Sequence, residues 1–495
     1  MVDEAAHDGV AANGYEMVIG LEVHAQLLTN SKMYCGCSAR YADAPPNTCV
    51  CVVCGGFPGA LPVLNQAAVE AAILTGLALG CEIPAFCKLD RKNYFYPDLP
   101  KGYQISQYDL PLAINGALEF ASGGEIARAG ITRVHVEEDT GRLVHRVDPA
   151  SGAEVSLIDL NRSGVPLMEI VGEPDLGSPE EARDYLIALR QILRYIGVST
   201  GNMEEGAFRC DANVSVREPG GPLGAKVEVK NMNSFRAVER ALHFERDRQI
   251  AELRAGRRIE QETRGWLEDR GVTVSQRTKE QAHDYRYFPE PDLPPLATSQ
   301  ETVTSLRARL PEMPATRRVR FIQDYGLGEA EAVHLTAERD VADIYETVAA
   351  SDGRDRPRIA ANWMVNNLAG LQRTRGLAPD QLPLTAQQLR ELLDALDGGA
   401  LTARAAKEVL PQIQPGESVV AAAERLNLLS LGEEDTVRDA VAATMAALPA
   451  AVADYRGGKT AAIGRLIGET IRRTGGRADP DQVRKLLLAA LAGED

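Results

Sequence analysis

The sequence has no run of about 18 consecutive apolar residues, the length a hydrocarbon-spanning helix needs. Its opening stretch, MVDEAAHDGVAANGYE, is acidic and has no apolar leader core. A soluble, intracellular protein is expected, cytoplasmic and without a membrane partner. An excess of positive charge is missing too. With 54 Lys and Arg against 70 Asp and Glu, the formal net charge is −16, which excludes coating nucleic acid or anionic lipid by bulk electrostatics. A local basic patch is the only such contact left. There is no G-x-x-x-x-G-K-[ST], and no G-x-G-x-x-G follows a strand pattern, so a nucleotide would sit on neither a P-loop nor a Rossmann site.

What is present suggests several domains. At 495 residues there is room for about three. Of the 25 Phe, Trp and Tyr, 20 precede residue 300, and the composition changes at YFPEPDLPPL, with prolines at 289, 291, 294 and 295. We expect an α+β protein: a disordered lead over 1–15, a mixed region over 16–300, a helical domain over 301–415 and a helical tail over 416–495. In SPEEARDYLIALRQILRYIG, Ser178 reads as N-cap, Pro179 as the first turn, Glu181 as the partner in a capping box and Gly197 as the stop. Leu186, Leu189, Leu193 and Ile196 then share a buried stripe. Two more helices are expected over about 65–80 and 234–256.

Side chains on a strand alternate between faces, so a period of two is legible directly. In VIGLEVHAQL, Gly20, Glu22, His24 and Gln26 share one face and the aliphatics the other. RVHVEED sets His135, Glu137 and Asp139 against Val134 and Val136. CDANVSVRE sets Asp211, Asn213, Ser215 and Arg217 against Ala212, Val214 and Val216, and AKVEVKN sets Lys226, Glu228 and Lys230 against Val227 and Val229. A merely solvated sheet face is the plain alternative. Such faces are usually rich in Thr, Ser and Lys, whereas these carry short carboxylates, amides and histidines, which are poor strand formers. Carboxylates with a histidine and separate cations suit a divalent metal holding a polyphosphate, the chemistry expected of Glu22 and His24.

Five of the eight cysteines fall between positions 35 and 54. Cys35-x-Cys37 and Cys51-x-x-Cys54 would bring four thiolates together across one loop, a tetrahedral zinc site with no open position for substrate. Cys49, in CVCVVC, competes as a fifth thiol.

Several long segments resemble one family. VIGLEVHAQL, KMYCGCS, GFPGALPVLN, DRKNYFYPDLPKGYQISQYD, DLNRSGVPLMEIV, GNMEEGAFRCDANVSVR and HDYRYFPEPDLPP are similar, in order, to the B subunits of aspartyl/glutamyl-tRNA(Asn/Gln) amidotransferases, and DYRGGKTAAIGRLIGETIRR resembles their tail domain. The resemblance implies a glutamine-synthetase-like cradle of antiparallel sheet and helices, followed by all-α helical and tail domains. It implies binding of mischarged tRNA(Gln) or tRNA(Asn), phosphorylation of the side-chain carboxylate by ATP with Mg²⁺, and displacement of phosphate by ammonia. Ammonia would come from a separate amidase (A) subunit, a small C subunit would clasp the two, and the products would be Gln-tRNA(Gln), Asn-tRNA(Asn) or both.

The family's metal positions match Glu22, His24, one glutamate of HVEED and Glu169 in PLMEIV. Alternation favours Glu137 over Glu138, because it shares a face with His135. The same resemblance sets Arg209, Asp211, Asn213, Lys226, Glu228 and Lys230 around ATP or the acyl phosphate. RKNYFYPDLPKGYQISQYD, polar and aromatic with two prolines, is expected as a packed loop. Tyr94, Tyr96, Lys101 and Gln104 would line the ammonia path there, unless the loop is only a structural plug. No Gly-Ser-Ser-rich nucleophile segment supports glutamine hydrolysis by this chain alone.

Between Asp454 and Lys485, eight basic residues (Arg456, Lys459, Arg465, Arg472, Arg473, Arg477, Arg484, Lys485) outnumber four acidic ones (Asp454, Glu469, Asp479, Asp481). Phosphate binding by tRNA and a salt-bridged helix face are the two readings. Departures from the family pattern are Val52 for a usual Pro, the added Cys49, Gln276 for Met and Glu469 for Gln.

Overall fold

A computed structural model describes residues 14–278, 285–350, 355–414, 416–430 and 434–492. The expected disordered lead falls outside the described residues up to position 13. Two compact units make up the chain, Met1–Ala315 and Thr316–Asp495. Helix Gln300–Ala308 lies in the first of them, its Val303 and Leu306 joining the sheet's core, so the units divide beyond the compositional break near 300.

The first unit is built on an eight-stranded sheet in the order Val272–Thr278, Glu262–Leu267, Val227–Lys230, Phe208–Arg217, Glu16–Gln26, Pro166–Gly172, Glu125–Glu138, Ala113–Ser122. Neighbours are antiparallel except Val227–Lys230 with Glu262–Leu267. Ile19, Leu21, Val23 and Ala25 are at most 1% exposed, and Val134, Val136, Val214 and Val229 are fully buried beside them. Each branched side chain removed from water contributes about 1.5–3 kcal/mol. A slip of one residue would forfeit all of that at once, so the dry face fixes the register and the polar face follows from it.

Helices Gln66–Ala78, Pro179–Tyr195 and Phe235–Arg254 belong to the same core. Leu186, Leu189 and Leu193 are fully buried and Ile196 nearly so. Ser178 Oγ accepts the Glu181 N–H at 3.1 Å, as an N-cap should. The expected reciprocal bond is not made: the Glu181 carboxylate takes the N–H of Gly177, one residue before the cap, at 2.8 Å.

The expected packed loop at DRKNYFYPDLPKGYQISQYD is instead a hairpin. Asp90–Asn93 pairs antiparallel with Tyr103–Ser106, and Phe288–Pro289 adds a third strand. Its alternation is hidden because both faces are polar or aromatic. Arg91 stacks 4.2 Å over the Tyr103 ring and gives Glu290 two hydrogen bonds of 2.7 and 2.8 Å, while Asp90, Gln104 and Ser106 are themselves buried.

The second unit is helical throughout its described residues. One core runs from Phe321 to Ala423 with Leu426, Leu428 and Leu429 packed on it, and another gathers Val437, Val441, Leu466, Val483, Leu487 and Leu491. Among the described residues no single helix is long and apolar enough to cross a membrane, and the bent pair Thr436–Ala447 and Pro449–Arg456, which passes by composition, contributes Val437, Val441 and Ala451 to that last core.

Candidate active site

Strand register assembles the site. Arg209, His24, Glu169 and His135 stand directly opposite one another across four neighbouring strands, forming one row on the polar face. The next row holds Gln26, Leu167 and Glu137, and the row on the other side holds Asp211, Glu22, Val171 and Arg133. Rows lie about 7 Å apart and strands about 4.8 Å apart, so side chains from adjacent rows meet.

His24 Nε2 lies 3.2 Å from Glu137 Oε1 and 3.9 Å from Glu169 Oε1, while His135 Nε2 lies 2.8 Å from Glu169 Oε2. His24, Glu137 and Glu169 offer ligand atoms all within 4.8 Å of one another. Burial pushes the His24 pKa down, but the hydrogen bond to Glu137 and the charges of Glu169, Glu137 and Asp211 outweigh it and raise it to about 9. Burial likewise works against ionised Glu137 and Glu169. His24 holds the first carboxyl below its usual range and His135 the second well below it. These charges favour the imidazolium, a poor general base, and a divalent ion held here would displace the ring proton, since only the neutral imidazole can ligate a metal.

These groups open onto a cavity of about 860 Å³. Carboxylates of Glu22, Glu137, Glu169, Asp139 and Asp211 share its lining with the cations Lys92, Arg133, Arg209, Lys226 and Lys230. Glu22 lies outside the three-ligand group and accepts from Asn213 Nδ2 at 2.8 Å. Asn213 does not reach the cavity. Lys230 pairs with Asp211 at 2.5 Å and Glu228 at 3.5 Å, and Glu228 also accepts from Thr263 Oγ1 at 2.8 Å. Of the two glutamates at 137 and 138, only Glu137 joins the group. Glu138 takes the Lys101 ammonium and the Ile105 N–H instead. Tyr94 and Gln104 line the cavity, whereas Tyr96 is 58% exposed and Lys101 is committed to Glu138.

Three residues of the site had no role in the sequence reading. Arg133 continues the period-two face of RVHVEED, and its Nε is buried with no hydrogen-bond partner among the described residues. Asp139, on the same face, receives Arg209 Nη2 at 3.0 Å and Gln26 Nε2 at 2.8 Å, tying three strands' ends together. Lys92 gave no signal, since the hairpin carrying it was not legible. Burial disfavours its ammonium, and Glu137, Tyr287 and Glu169 more than offset this, so its pKa is raised.

The thiols of Cys35, Cys37, Cys51 and Cys54 lie within 4.8 Å of one another, Cys54 Sγ being 4.0 Å from Cys37 Sγ and 3.9 Å from Cys51 Sγ. A zinc ion about 2.3 Å from each of four thiolates requires S···S separations of about 3.8 Å, so the group fits tetrahedral zinc. Cys49 is outside it. The cysteines are free of disulfides. Fully buried Lys32 donates to Cys49 O at 2.7 Å and sits 3.5 Å from Cys54 Sγ, partly offsetting the charge four thiolates would gather. Ser163 Oγ donates to Cys54 O at 3.1 Å and Met33 N to Gly164 O at 2.7 Å, so the loop rests on the segment beside Asp139. In the tail, Lys459 pairs with Asp454, and Arg472 and Arg473 both with Glu469, while Arg465, Arg484 and Lys485 are exposed.

A family model described as "GatB/GatE catalytic domain" matches residues 17–304, and one described as "GatB domain" matches residues 343–491. The chain is 57% identical over 480 residues to the aspartyl/glutamyl-tRNA(Asn/Gln) amidotransferase B subunit of Thermomicrobium roseum, covering 96% of this chain and 99% of that protein. The protein of the same name from Carboxydothermus hydrogenoformans is 50% identical over 483 residues, with 97% and 99% covered. That of Roseiflexus sp. strain RS-1 is 51% identical over 489 residues, again with 97% and 99% covered.

Proposed function

Because the chain belongs to the family of aspartyl/glutamyl-tRNA(Asn/Gln) amidotransferase B subunits, we propose that its polar sheet face is where the amide is made. As a member of that family it converts mischarged Glu-tRNA(Gln) or Asp-tRNA(Asn) to the amidated form, as part of a multisubunit enzyme in the cytoplasm. The observation that carries the site is the cross-strand row of Arg209, His24, Glu169 and His135, with Glu137 beside it.

A carboxylate is a poor electrophile and needs a leaving group before an amine can displace its oxygen. A side-chain carboxylate oxygen of the aminoacyl group attacks the γ-phosphorus of ATP, and ADP leaves. Ammonia then adds to the carbonyl carbon of the acyl phosphate, and inorganic phosphate departs with the electron pair, a proton being lost from nitrogen. Lys92, Arg133 and Arg209 stabilise charge on the transferred phosphoryl group, and Lys226 and Lys230 hold the nucleotide's phosphates. Asp211, Asn213 and Glu228 orient these cations and Glu22. His24, Glu137 and Glu169 are the residues that would hold Mg²⁺. Held there, such an ion would supply positive charge against the phosphate oxygens. The compact cluster of ionised carboxylates fits that role, with Glu22 one row away as a further oxygen donor. The cavity walls keep water from the acyl phosphate.

Cys35, Cys37, Cys51 and Cys54 would hold a structural Zn²⁺. Ammonia comes from a partner amidase (A) subunit, with a small C subunit completing a heterotrimer. The sheet unit serves as the kinase and transamidase cradle, the helical core from Phe321 to Ala423 as a connector and the core from Val437 to Leu491 as the tRNA-binding tail, where Arg465, Arg484 and Lys485 face phosphates.

The test uses the assembled enzyme with glutamine, ATP and Glu-tRNA(Gln). Glu137→Gln and Glu169→Gln are expected to cut amide formation and phosphate release by about 100-fold or more while tRNA binding persists. Unchanged turnover in both would reject the site. Metal analysis is expected to give one zinc per chain, lost on replacing Cys51 and Cys54 by Ser with a fall in Tm. A metal-free protein of equal stability would reject the zinc assignment.

A further inference from the structure

Beside the active-site cavity lies a second one of about 400 Å³, whose lining includes Gln26, Leu28, Asn30, Arg40, Tyr41 and Thr200. Gln26 lines it and reaches the first cavity through Asp139. Its Nε2 donates to Asp139 Oδ2 at 2.8 Å on the active-site side and to Tyr41 OH at 3.0 Å on the other. Along the strand Glu16–Gln26, Gln26 follows His24 by two residues on the same face, a step of about 7 Å.

That spacing matters if the amide is made as proposed above, a reading on which this inference rests. From its ester oxygen to its side-chain carboxyl carbon, an extended glutamyl group spans about 6 Å by ordinary bond lengths. With the carboxyl at His24, Glu137 and Glu169, whatever is esterified to the amino acid arrives at Gln26. The second cavity has the chemistry to receive a nucleoside there. Tyr41 offers an aromatic ring, and Leu28 is 60% exposed, an aliphatic surface with no core to cover it. Asn30 and Arg40 are exposed, and their side-chain donors are uncommitted among the described residues. A ring and an aliphatic surface suit a base, an amide suits its Watson–Crick edge, and a guanidinium suits its 5′ phosphate.

We propose that this cavity holds the 3′-terminal adenosine of the aminoacylated tRNA, with Tyr41 and Leu28 against the base and Arg40 at the adjoining phosphate. The adenosine of ATP is the other source of the same chemistry. The cations that suit a triphosphate lie the other way along the strand: Val229 pairs with Ala212 and so with Leu21, and Val227 with Val214 and so with Ile19, which puts Lys230 and Lys226 away from Gln26.

The experiment measures KM for Glu-tRNA(Gln) and for ATP on the complete amidotransferase. Tyr41→Ala and Arg40→Ala are each expected to raise KM for Glu-tRNA(Gln) about tenfold, with kcat and KM for ATP within about twofold of wild type. Tyr41→Phe, which keeps the ring and removes only the hydroxyl, is expected to stay near wild type. As a second readout, uncharged tRNA(Gln) is compared with tRNA(Gln) lacking its terminal adenosine as inhibitors. Removing the nucleotide is expected to weaken inhibition of the wild type about tenfold and of Arg40→Ala or Tyr41→Ala far less. A raised KM for ATP, an unchanged KM for tRNA in both alanine variants, or equal inhibition of wild type by the two tRNAs would overturn the assignment. A wild-type complex inert with Glu-tRNA(Gln) and ATP would instead sink the function proposed above, while the tRNA competitors, read by direct binding, still report on the cavity.

Discussion

In the helical unit the guanidinium of Arg356, 3% exposed, is clamped by Asp394 and Asp397 from one helix, Ala386–Asp397. Arg317 is held in the same way by Asp343 and Glu346 of Arg339–Ala349. In the sheet unit, the buried charges at the cavity come from separate strands, and acids gather: Glu137 and Glu169 face a shared imidazole, with Glu22, Asp139 and Asp211 nearby. The first arrangement is local, with each buried cation balanced by two acids a turn apart, and serves packing. The second gathers acids and cations from distant parts of the chain, at a cost in desolvation that folding alone gives no reason to bear.

That contrast is sharpest for variants that separate stability from turnover. Glu137→Gln is expected to remove about two or more orders of magnitude of turnover while lowering Tm only slightly, because the amide loses the attraction of His24 and Lys92 but also the repulsion of Glu169 and the burial cost of a charge; assays and calorimetry on one preparation check both halves. A large drop in Tm would mean the acidic group is structural after all. Arg356→Ala is expected to do the reverse, costing about 2–3 kcal/mol in denaturant unfolding because a buried side chain leaves a cavity, Asp394 and Asp397 being 56% and 38% exposed and so solvated without it, with kcat per folded molecule unaltered. Arg356→Met is expected to cost less, as an apolar side chain fills the space. Smallest is Ser178→Ala, a cap serving only its own helix, expected to cost about 1 kcal/mol with no change in KM for either substrate.

The same contrast explains what was legible in the sequence. Strands with one dry and one polar face announce themselves, so Glu22, His24, Glu137 and Asp211 were found on the right face from alternation alone. Glu169 was not, because Leu167 and Val171 share its face and the strand reads as wholly apolar; only the resemblance supplied it. The hairpin bearing Lys92 has no legible alternation, since its polar groups are satisfied by Glu290, Glu138 and Tyr285, partners remote in sequence. The four thiols followed from spacing, but spacing gave no reason to set Cys49 apart. A backbone that turns its carbonyl to Lys32 and its N–H to Asn161 does. The paired tail cations show a similar limit: composition counted eight, and contact leaves fewer free to meet phosphate.

The opening strand pairs with Phe208–Arg217 along nearly its whole length and with Pro166–Gly172 over its last five residues, and its rows are set by counting residues, not by any bond the acids make themselves. Deleting one residue between Glu16 and Glu22 would therefore do more harm than losing any side chain in it. Either Glu22 and His24 would turn into the oily layer beneath, or the strand would keep its footing there and pull Tyr15 out of place. Gene variants in this stretch should accordingly tolerate exchange far better than insertion or deletion.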